Sequence, residues 1–506
     1  MYSYNVADYL LEKKGESQEA LLTLEGTYTY GQLIAASADV AEYLIGAGGF
    51  KGDRVLLVSE NGFFWVAAYL GILRAGLVCV PLPATIPPHD LEYILETAEP
   101  RFAFLQSGFA NKYVHRFQET NVVTDNRLES RDGMPERPSL KQIRHKIRHS
   151  RHSLPAVKGT DLAALMFTSG STGKPRGVMV SHLNIRANTC SIVEYLGLTD
   201  EDRIMTVLPF HYCFGTSLLH THLRVGGSLV LDSRFRYPEV ILQRMRDTEC
   251  TGFAGVPSHF QILLRSSSLR KKTFPHLRYV QQAGGHLAPL FIRQLQEALP
   301  ATQVFIMYGQ TEGTARLSYL APEALSTKLG SIGKGIPGVK LSVLNKLGEV
   351  VRPGELGEIV AEGDNITLGY WRAQHETASS FRDGKLYTGD MATVDEDGFI
   401  YVLDRANDFL KCGGKRVACK QIEDQLLEHN ELVEAAVIGV PDEILGEAVK
   451  AFVVPRTSNG DGLRNSLNDF CKKRMPPQLV PKEIILLPAL PKNSAGKVLK
   501  GSLRNM

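Results

Sequence analysis

The residues best suited to chemistry are concentrated in Met166-Phe-Thr-Ser-Gly-Ser-Thr-Gly-Lys-Pro-Arg-Gly-Val-Met-Val-Ser-His182. An apolar run from Leu162 to Phe167 reads as a buried strand. It feeds a loop of Thr168, Ser169, Gly170, Ser171, Thr172 and Gly173 that carries Lys174 and Arg176. Glycines let successive backbone N–H groups close on an anion, and hydroxyls and cations complete a phosphate cradle. A plain surface turn needs one or two glycines, not hydroxyls and two cations fixed between apolar segments. The loop is not a Walker loop, which requires Gly, four residues, then Gly-Lys-Ser/Thr; position 168 is Thr, and Lys174 is followed by Pro175.

This loop resembles the phosphate-binding signature of the adenylate-forming superfamily, which comprises acyl-CoA synthetases, adenylation domains and luciferases. Further motifs of that superfamily follow in order over nearly all of the chain. In Phe305-Ile-Met-Tyr-Gly-Gln-Thr-Glu-Gly313 an apolar strand ends at Tyr308, whose ring can stack on adenine. Gly309, Gln310, Thr311 and Glu312 follow at the strand end, where open α/β sheets bind ligands. The resemblance assigns Glu312 to Mg²⁺, a hard cation that keeps most of its waters when bound to ATP, so one carboxylate suffices. Val280-Gln-Gln-Ala-Gly-Gly-His286 matches the segment beside the adenine; Gly284 and Gly285 would let a flat ring approach the backbone. Tyr387-Thr-Gly-Asp390, preceded by Gly354-Glu-Leu-Gly-Glu358 and Gly369-Tyr-Trp371, resembles the segment whose Asp binds both ribose hydroxyls. An ionised carboxylate is an acceptor that can take two donors at once.

The same resemblance makes Pro209-Phe-His-Tyr-Cys-Phe-Gly215 a substrate-pocket segment, with His211, Cys213, Phe214 and Gly215 lining the acid together with Gly284 and Gly309. Activators of α-amino acids place an Asp where Cys213 stands; a thiol cannot pair with an ammonium group, which argues against such substrates. Arg405 corresponds to a nucleotide-contacting Arg, Gly414 to a glycine of the thiol tunnel, and Lys497 in Leu490-Pro-Lys-Asn-Ser-Ala-Gly-Lys497 to the catalytic lysine. Lys497, Thr168 and Glu312 are the expected catalytic residues. Departures from the pattern are Asp404 for a Gly, Asn407 for a hinge Asp or Lys, and Cys419 and Gln421 for a Pro and a Glu.

The elements that must position these residues follow from length and periodicity. The chain has 506 residues, more than one core of roughly 250–300 residues accommodates. A net charge of +3 excludes nucleic-acid binding by bulk electrostatics. The one basic tract, 141–152, reads as a solvated segment between subdomains; a docking patch for a carrier protein, coenzyme A phosphates or a membrane is the alternative. Seven scattered cysteines without a CxxC pair argue against a disulfide framework or structural zinc and fit a cytoplasmic protein. No signal peptide is expected. The apolar run from Gly62 to Leu73 stops at Arg74, short of the roughly 20 residues of a membrane span.

Strand patterns at 20–33, leading to a helix over 35–45, and at 54–59 and 78–82, with a helix over 63–74 between, give a βαβ alternation that recurs to residue 308. Beyond Gly335 short strands with Gly/Asp turns predict a β-rich subdomain, and the last hundred or so residues a small α+β domain. The expected organisation is a large N-terminal AMP-binding domain of layered α/β subdomains (1–404), a hinge (405–407) and a mobile C-terminal lid domain (408–506). The resemblance implies attack of a carboxylate on the α-phosphate of ATP, then transfer of the acyl group to coenzyme A. Alternatives are a stand-alone adenylation enzyme loading a carrier-protein phosphopantetheine, an oxidative luciferase-like enzyme, and a non-catalytic nucleotide-binding regulator. An insertion typical of enzymes that load fatty acids onto carrier proteins is not evident between 330 and 360, which favours coenzyme A.

Overall fold

The computed structural model describes residues 4–12, 14–117, 120–126, 138–146, 152–169, 174–405, 409–412, 415–442, 446–456, 462–492, 498–504 and 506. Among them two α/β sheets lie one over the other. The first has six strands in the order Asn121–Thr124, Phe102–Leu105, Arg54–Val58, Val78–Leu82, Leu162–Ser169, Pro175–Ser181. All neighbours are parallel except the last pair, an antiparallel hairpin. The second sheet has nine strands. Its centre runs Gln303–Tyr308, Tyr279–Gln282, Gly252–Gly255, Arg203–Thr206, Ser228–Leu231, all parallel.

The helices Val6–Leu11, Tyr30–Gly46, Phe63–Arg74, His182–Leu196 and Cys213–Val225 fill the layer between the sheets. Their side chains, Trp65, Leu70, Leu218 and Leu219 among them, share one core with strand residues of both sheets, such as Leu57, Phe104, Ala254 and Phe305. Phe63–Arg74 is apolar almost all round because it touches protein on every side. Other helices cover the two outer faces.

Three expectations need correction. The strand pair near residue 20 (Glu19–Leu22 and Thr27–Thr29) joins the second sheet, pairing with Ser228–Leu231, not the sheet of Arg54–Val58. The helix after it starts at Tyr30 rather than Ala35. Thr29 and Gln32 exchange hydrogen bonds with each other's backbone N–H, a capping box that fixes the earlier start. The basic tract is also less solvated than expected at its beginning. Leu140–Lys146 is a helix whose Leu140 and Ile143 are buried in the inner core, and His152 is bound to Glu42.

Beyond residue 335 the β-rich expectation is met by a five-stranded sheet containing Lys340–Leu344, Gly357–Glu362, Lys385–Val394 and Ile400–Arg405. The last sheet comprises Phe409–Cys412, Lys415–Ala418, Leu432–Asp442, Gly446–Pro455 and Glu483–Leu486. Helices Cys419–Leu427 and Leu463–Arg474 pack on one face of it in a separate core. This domain rests on the second sheet's outer helices. Leu427 joins their core, and His286 donates to the Asp424 carboxylate at 2.9 Å. The hinge residues 406 and 407 lie outside the described residues.

Among the described residues the imidazoles of His182, His211, His220, His222 and His259 are buried or largely so. Burial disfavours imidazolium and pulls titration down to about 4 for His182, His211 and His222, and to about 3 for His220 and His259. In the unfolded chain they titrate near about pH 6.5, so below that pH the unfolded state binds more protons and stability falls. The slope is up to about 1.4 kcal/mol per pH unit for each group. The melting temperature is therefore expected to drop steeply between pH 6.5 and 5, ahead of most carboxylates. His220→Gln, which keeps a polar partner for the Tyr69 hydroxyl at 2.8 Å, should flatten that slope. A level profile through this window would contradict the reading.

Candidate functional site

The two strands that flank the expected phosphate loop, Leu162–Ser169 and Pro175–Ser181, pair antiparallel, with Thr168 and Ser169 opposite Arg176 and Pro175, so both ends of the expected loop of 168–177 are ladder rather than loop. Gly170, Ser171, Thr172 and Gly173 lie outside the described residues. Lys174 is exposed, its Nζ 5.6 Å from the centroid of the Tyr93 ring.

The hairpin is stitched to the Gly369-Tyr-Trp371 segment: Met179 N donates to Gly369 O and Trp371 N to Gly177 O. This brings Tyr370 between two motifs far apart in sequence. The Arg176 guanidinium carbon lies 5.4 Å from the centroid of its ring, and its hydroxyl donates to Glu312 Oε1 at 2.8 Å. Burial and the Glu312 carboxylate both push the Tyr370 phenol well above its ordinary range, so it stays a donor. The sequence motif gave Tyr370 no role; the one signal was a Tyr within a Gly-Tyr-Trp run in family order.

Glu312 sits in a single turn, Thr311–Gly313, at the end of Gln303–Tyr308. The chain then takes an unusual path, with positive φ at two non-glycine residues, Thr314 (61°) and Ala315 (135°). Asn365 holds that path, accepting from Thr314 Oγ1 at its carbonyl and donating its amide to Gly313 O and Arg316 O. The return brings Ala315 so close that a Cβ on Gly309 would lie 2.0 Å from the Ala315 carbonyl oxygen, so only glycine fits. Gly309→Ala is expected to cost about 3 kcal/mol through overpacking, read as a lowered urea midpoint. An unchanged midpoint would show that the turn relaxes.

At the same strand end Tyr308 donates from its hydroxyl to Asp390 Oδ2 at 2.7 Å. Asp390 is mostly buried on Lys385–Val394 and lies directly opposite Arg405 on Ile400–Arg405. Glu358 accepts from Gly389 N at 2.9 Å, at the irregularity in the ladder just before Asp390. Tyr308, Asp390 and the backbone of Arg405 are thus brought together, as the motifs imply.

The segment 209–215, expected to line the acid, leads into the helix Cys213–Val225. Gly215 is required there, since a Cβ would meet the Pro209 carbonyl oxygen at 2.1 Å. His211 packs on Tyr212 with ring centroids 4.4 Å apart, and its Nε2 has no hydrogen-bond partner. With its titration near 4, it is a neutral wall at pH 7. Cys213 Sγ is 3.4 Å from Thr311 Oγ1, and burial raises its thiol, so it is not a thiolate. Gly284 has a φ of 83° and Gly285 packs on Pro257, while Gln282 donates to Gly285 O.

Gly414 and Lys497 lie outside the described residues, but their supports do not. On either side of Gly414 Cys412 pairs with Lys415, and Lys492 and Val498, on either side of Lys497, form a β-bridge. Lys492 binds Glu434, and its charge helps to lower the titration of His259 on the helix Pro257–Ser266. Sequence reasoning missed Arg316, an arginine buried to 1% exposure. A charged residue in an otherwise apolar stretch after Glu312 was the available signal.

The hairpin cradle, the acceptor-bearing strand ends and a domain docked over them define a nucleotide-dependent acid-activating site. Residues 11–371 match the family model of AMP-binding enzymes, and residues 421–497 that of the AMP-binding enzyme C-terminal domain. The chain belongs to the AMP-binding enzyme family. It is 30% identical to a 2-succinylbenzoate--CoA ligase of Bacillus subtilis, covering 96% of this chain and 94% of that one. It is 28% identical to a long-chain-fatty-acid--CoA ligase of Salmonella typhimurium, over 96% and 91% of the two chains. The anthranilate CoA ligase AuaEII, solved with anthranoyl-AMP, superposes with a TM-score of 0.91 at 25% identity, over 99% and 97% of the chains.

Proposed function

We propose that the protein is an AMP-forming acid–thiol ligase that joins a carboxylic acid to AMP at the expense of ATP and passes the acyl group to coenzyme A. The observation that carries this reading is the meeting of three distant motifs: Arg176 of the hairpin, Glu312 bridged to it by Tyr370, and Asp390 held by Tyr308. A regulator that only bound nucleotide would not need a Glu312 carboxylate held by Tyr370 beside Arg176.

A carboxylate is a poor acyl donor because its leaving group would be oxide. Attack of its oxygen on the α-phosphorus of ATP releases pyrophosphate and leaves AMP as a good leaving group. Two anions meet in that step, so positive groups fixed in advance supply most of the rate. Here those are the cradle with Lys174 and Arg176, and Lys497. Glu312 suits Mg²⁺: it makes no ion pair among the described residues, and Tyr370 orients one of its oxygens. When bound to ATP, Mg²⁺ neutralises phosphate charge. Tyr308 and Asp390 orient adenine and ribose, and Thr168, near the end of its strand, serves the phosphates. His211, Cys213, Phe214 and Gly215 line the acid, and the neutral Cys213 disfavours α-amino acids.

The thiol enters after the C-terminal domain, 408–506, turns about a hinge at 405–407 and presents Gly414. A cytoplasmic site of action is supported by seven free cysteines. Among the described residues no helix is long and apolar enough to cross a membrane. Acid-dependent pyrophosphate release across short, medium, long and aromatic acids tests the first step; its absence throughout would overturn the reading. Coenzyme A against a phosphopantetheinylated carrier protein as acceptor tests the second.

A further inference from the structure

Arg316 carries a full positive charge into the inner core. Its Nε donates to Met307 Sδ at 3.3 Å, and its guanidinium carbon sits 4.0 Å from the centroid of the Phe214 ring. The Tyr195 hydroxyl, also bound to Met307 Sδ, lies beside it. Its Nη2 has no acceptor, and no carboxylate among the described residues acts on it. A thioether, a phenol and a ring face are weak partners for a guanidinium, which cannot shed its proton. A buried cation without a counter-ion costs several kcal/mol, and a Leu or Met would fill the same space without that cost. The backbone is nevertheless built to place it: Asn188 and Asn365 both donate to Arg316 O, and the two residues before it are strained.

The neighbourhood is that of the acid. Phe214, under the guanidinium, adjoins Cys213, which touches Thr311 next to Glu312. On the same face of the second sheet Gln281 stands opposite Phe305, two residues before Met307. Gln281 is 1% exposed, and neither atom of its amide makes a well-formed hydrogen bond among the described residues, with the Tyr279 phenol beside it. The helix Cys213–Val225 covers this face, from Cys213 at Thr311 to His222, whose Nε2 is 2.9 Å from the Tyr279 hydroxyl. Gln281, two residues beyond Tyr279, falls under the turns between. A buried cation and a buried amide, both short of partners, thus lie beneath the helix Cys213–Val225, whose first residue touches Thr311.

We propose that Arg316, with Gln281, binds a second carboxylate on the acid substrate, so that the enzyme activates one end of a dicarboxylic acid. The inference rests on the ligase reading and names its substrate class. The distal carboxylate supplies the counter-ion that the folded chain lacks, and a neutral acid of equal length leaves the guanidinium desolvated and unpaired. Sites that hydrogen-bond a buried polar group reject analogues lacking it far more strongly than apolar pockets discriminate by size.

The test is acid-dependent pyrophosphate release with matched pairs: hexanoate and adipate, octanoate and suberate, benzoate and terephthalate. The wild-type enzyme is expected to favour the diacid in at least one pair by about 10²-fold or more in kcat/KM. Arg316→Met should reverse that preference by depressing the diacid and raising the monoacid, Arg316→Lys should restore part of it, and Gln281→Leu should weaken it. Should Arg316→Met fail to fold, binding of acyl-sulfamoyl-adenosine mimics to the wild-type enzyme reads the same ratio, with carboxyl-ended mimics tighter than methyl-ended ones. Equal or better use of monoacids in every pair, or a preference that Arg316→Met leaves unchanged, would overturn the proposal and leave the ligase reading standing. Release with neither class would overturn the ligase reading and the proposal with it.

Discussion

Lys497→Ala is expected to abolish acid-dependent pyrophosphate exchange, with a loss of at least about 10²–10³ in kcat, while thioester formation from a synthetic acyl-adenylate and coenzyme A continues. The separation follows from the proposed mechanism. Lys492 and Val498, on either side of Lys497 in sequence, pair in a β-bridge, and Lys492 binds Glu434. On the proposed reading Lys497 serves the step that joins two anions. Thioester formation would use Gly414 instead and has no use for a cation at the α-phosphate. Single-turnover assays of the two half-reactions check the prediction. Loss of both in Lys497→Ala would contradict an alternation of faces.

Glu312→Gln is the second large effect. The replacement amide oxygen can still accept from the Tyr370 hydroxyl, so the turn Thr311–Gly313 and its supports from Asn365 are retained. What is removed is one negative charge facing the phosphate cradle. The kcat for pyrophosphate release is expected to fall by about 10²–10³, with a higher Mg²⁺ concentration needed for half-maximal rate and an unchanged melting temperature. Tyr370→Phe should give a much smaller loss, because it frees the carboxylate without neutralising it. An equal loss in both variants would make orientation, rather than charge, the contribution of Glu312.

The sequence was most readable where local pattern and long-range structure agree. The helix Phe63–Arg74 and the strand Val78–Leu82 fall where the apolar runs place them. The turn residues Gly309 and Gly215 are forced by backbone contacts that their motifs already suggest. Sheet membership was not readable. Glu19–Leu22 pairs with a strand some two hundred residues later, a choice no local spacing encodes. The start of the helix at Tyr30 turned on one capping box that the apolar periodicity overlooks. Thr168 and Ser169 looked like loop because of their composition, yet the ladder extends through them. Arg316 and Tyr370 escaped for a different reason. Neither stands out by type or spacing, and each acquires meaning only from what folding sets beside it: Phe214 and Met307 for the first, Arg176 and Glu312 for the second.

The bond between Tyr308 and Asp390 ties the ring proposed to carry the base to the carboxylate proposed to hold the sugar. Neither can shift without dragging the other, so on the proposed reading preference for the purine and preference for ribose over deoxyribose would be one trait. Engineering it to accept another nucleoside triphosphate would require replacing both members together, and a change at either alone should blur recognition of both halves of the nucleoside.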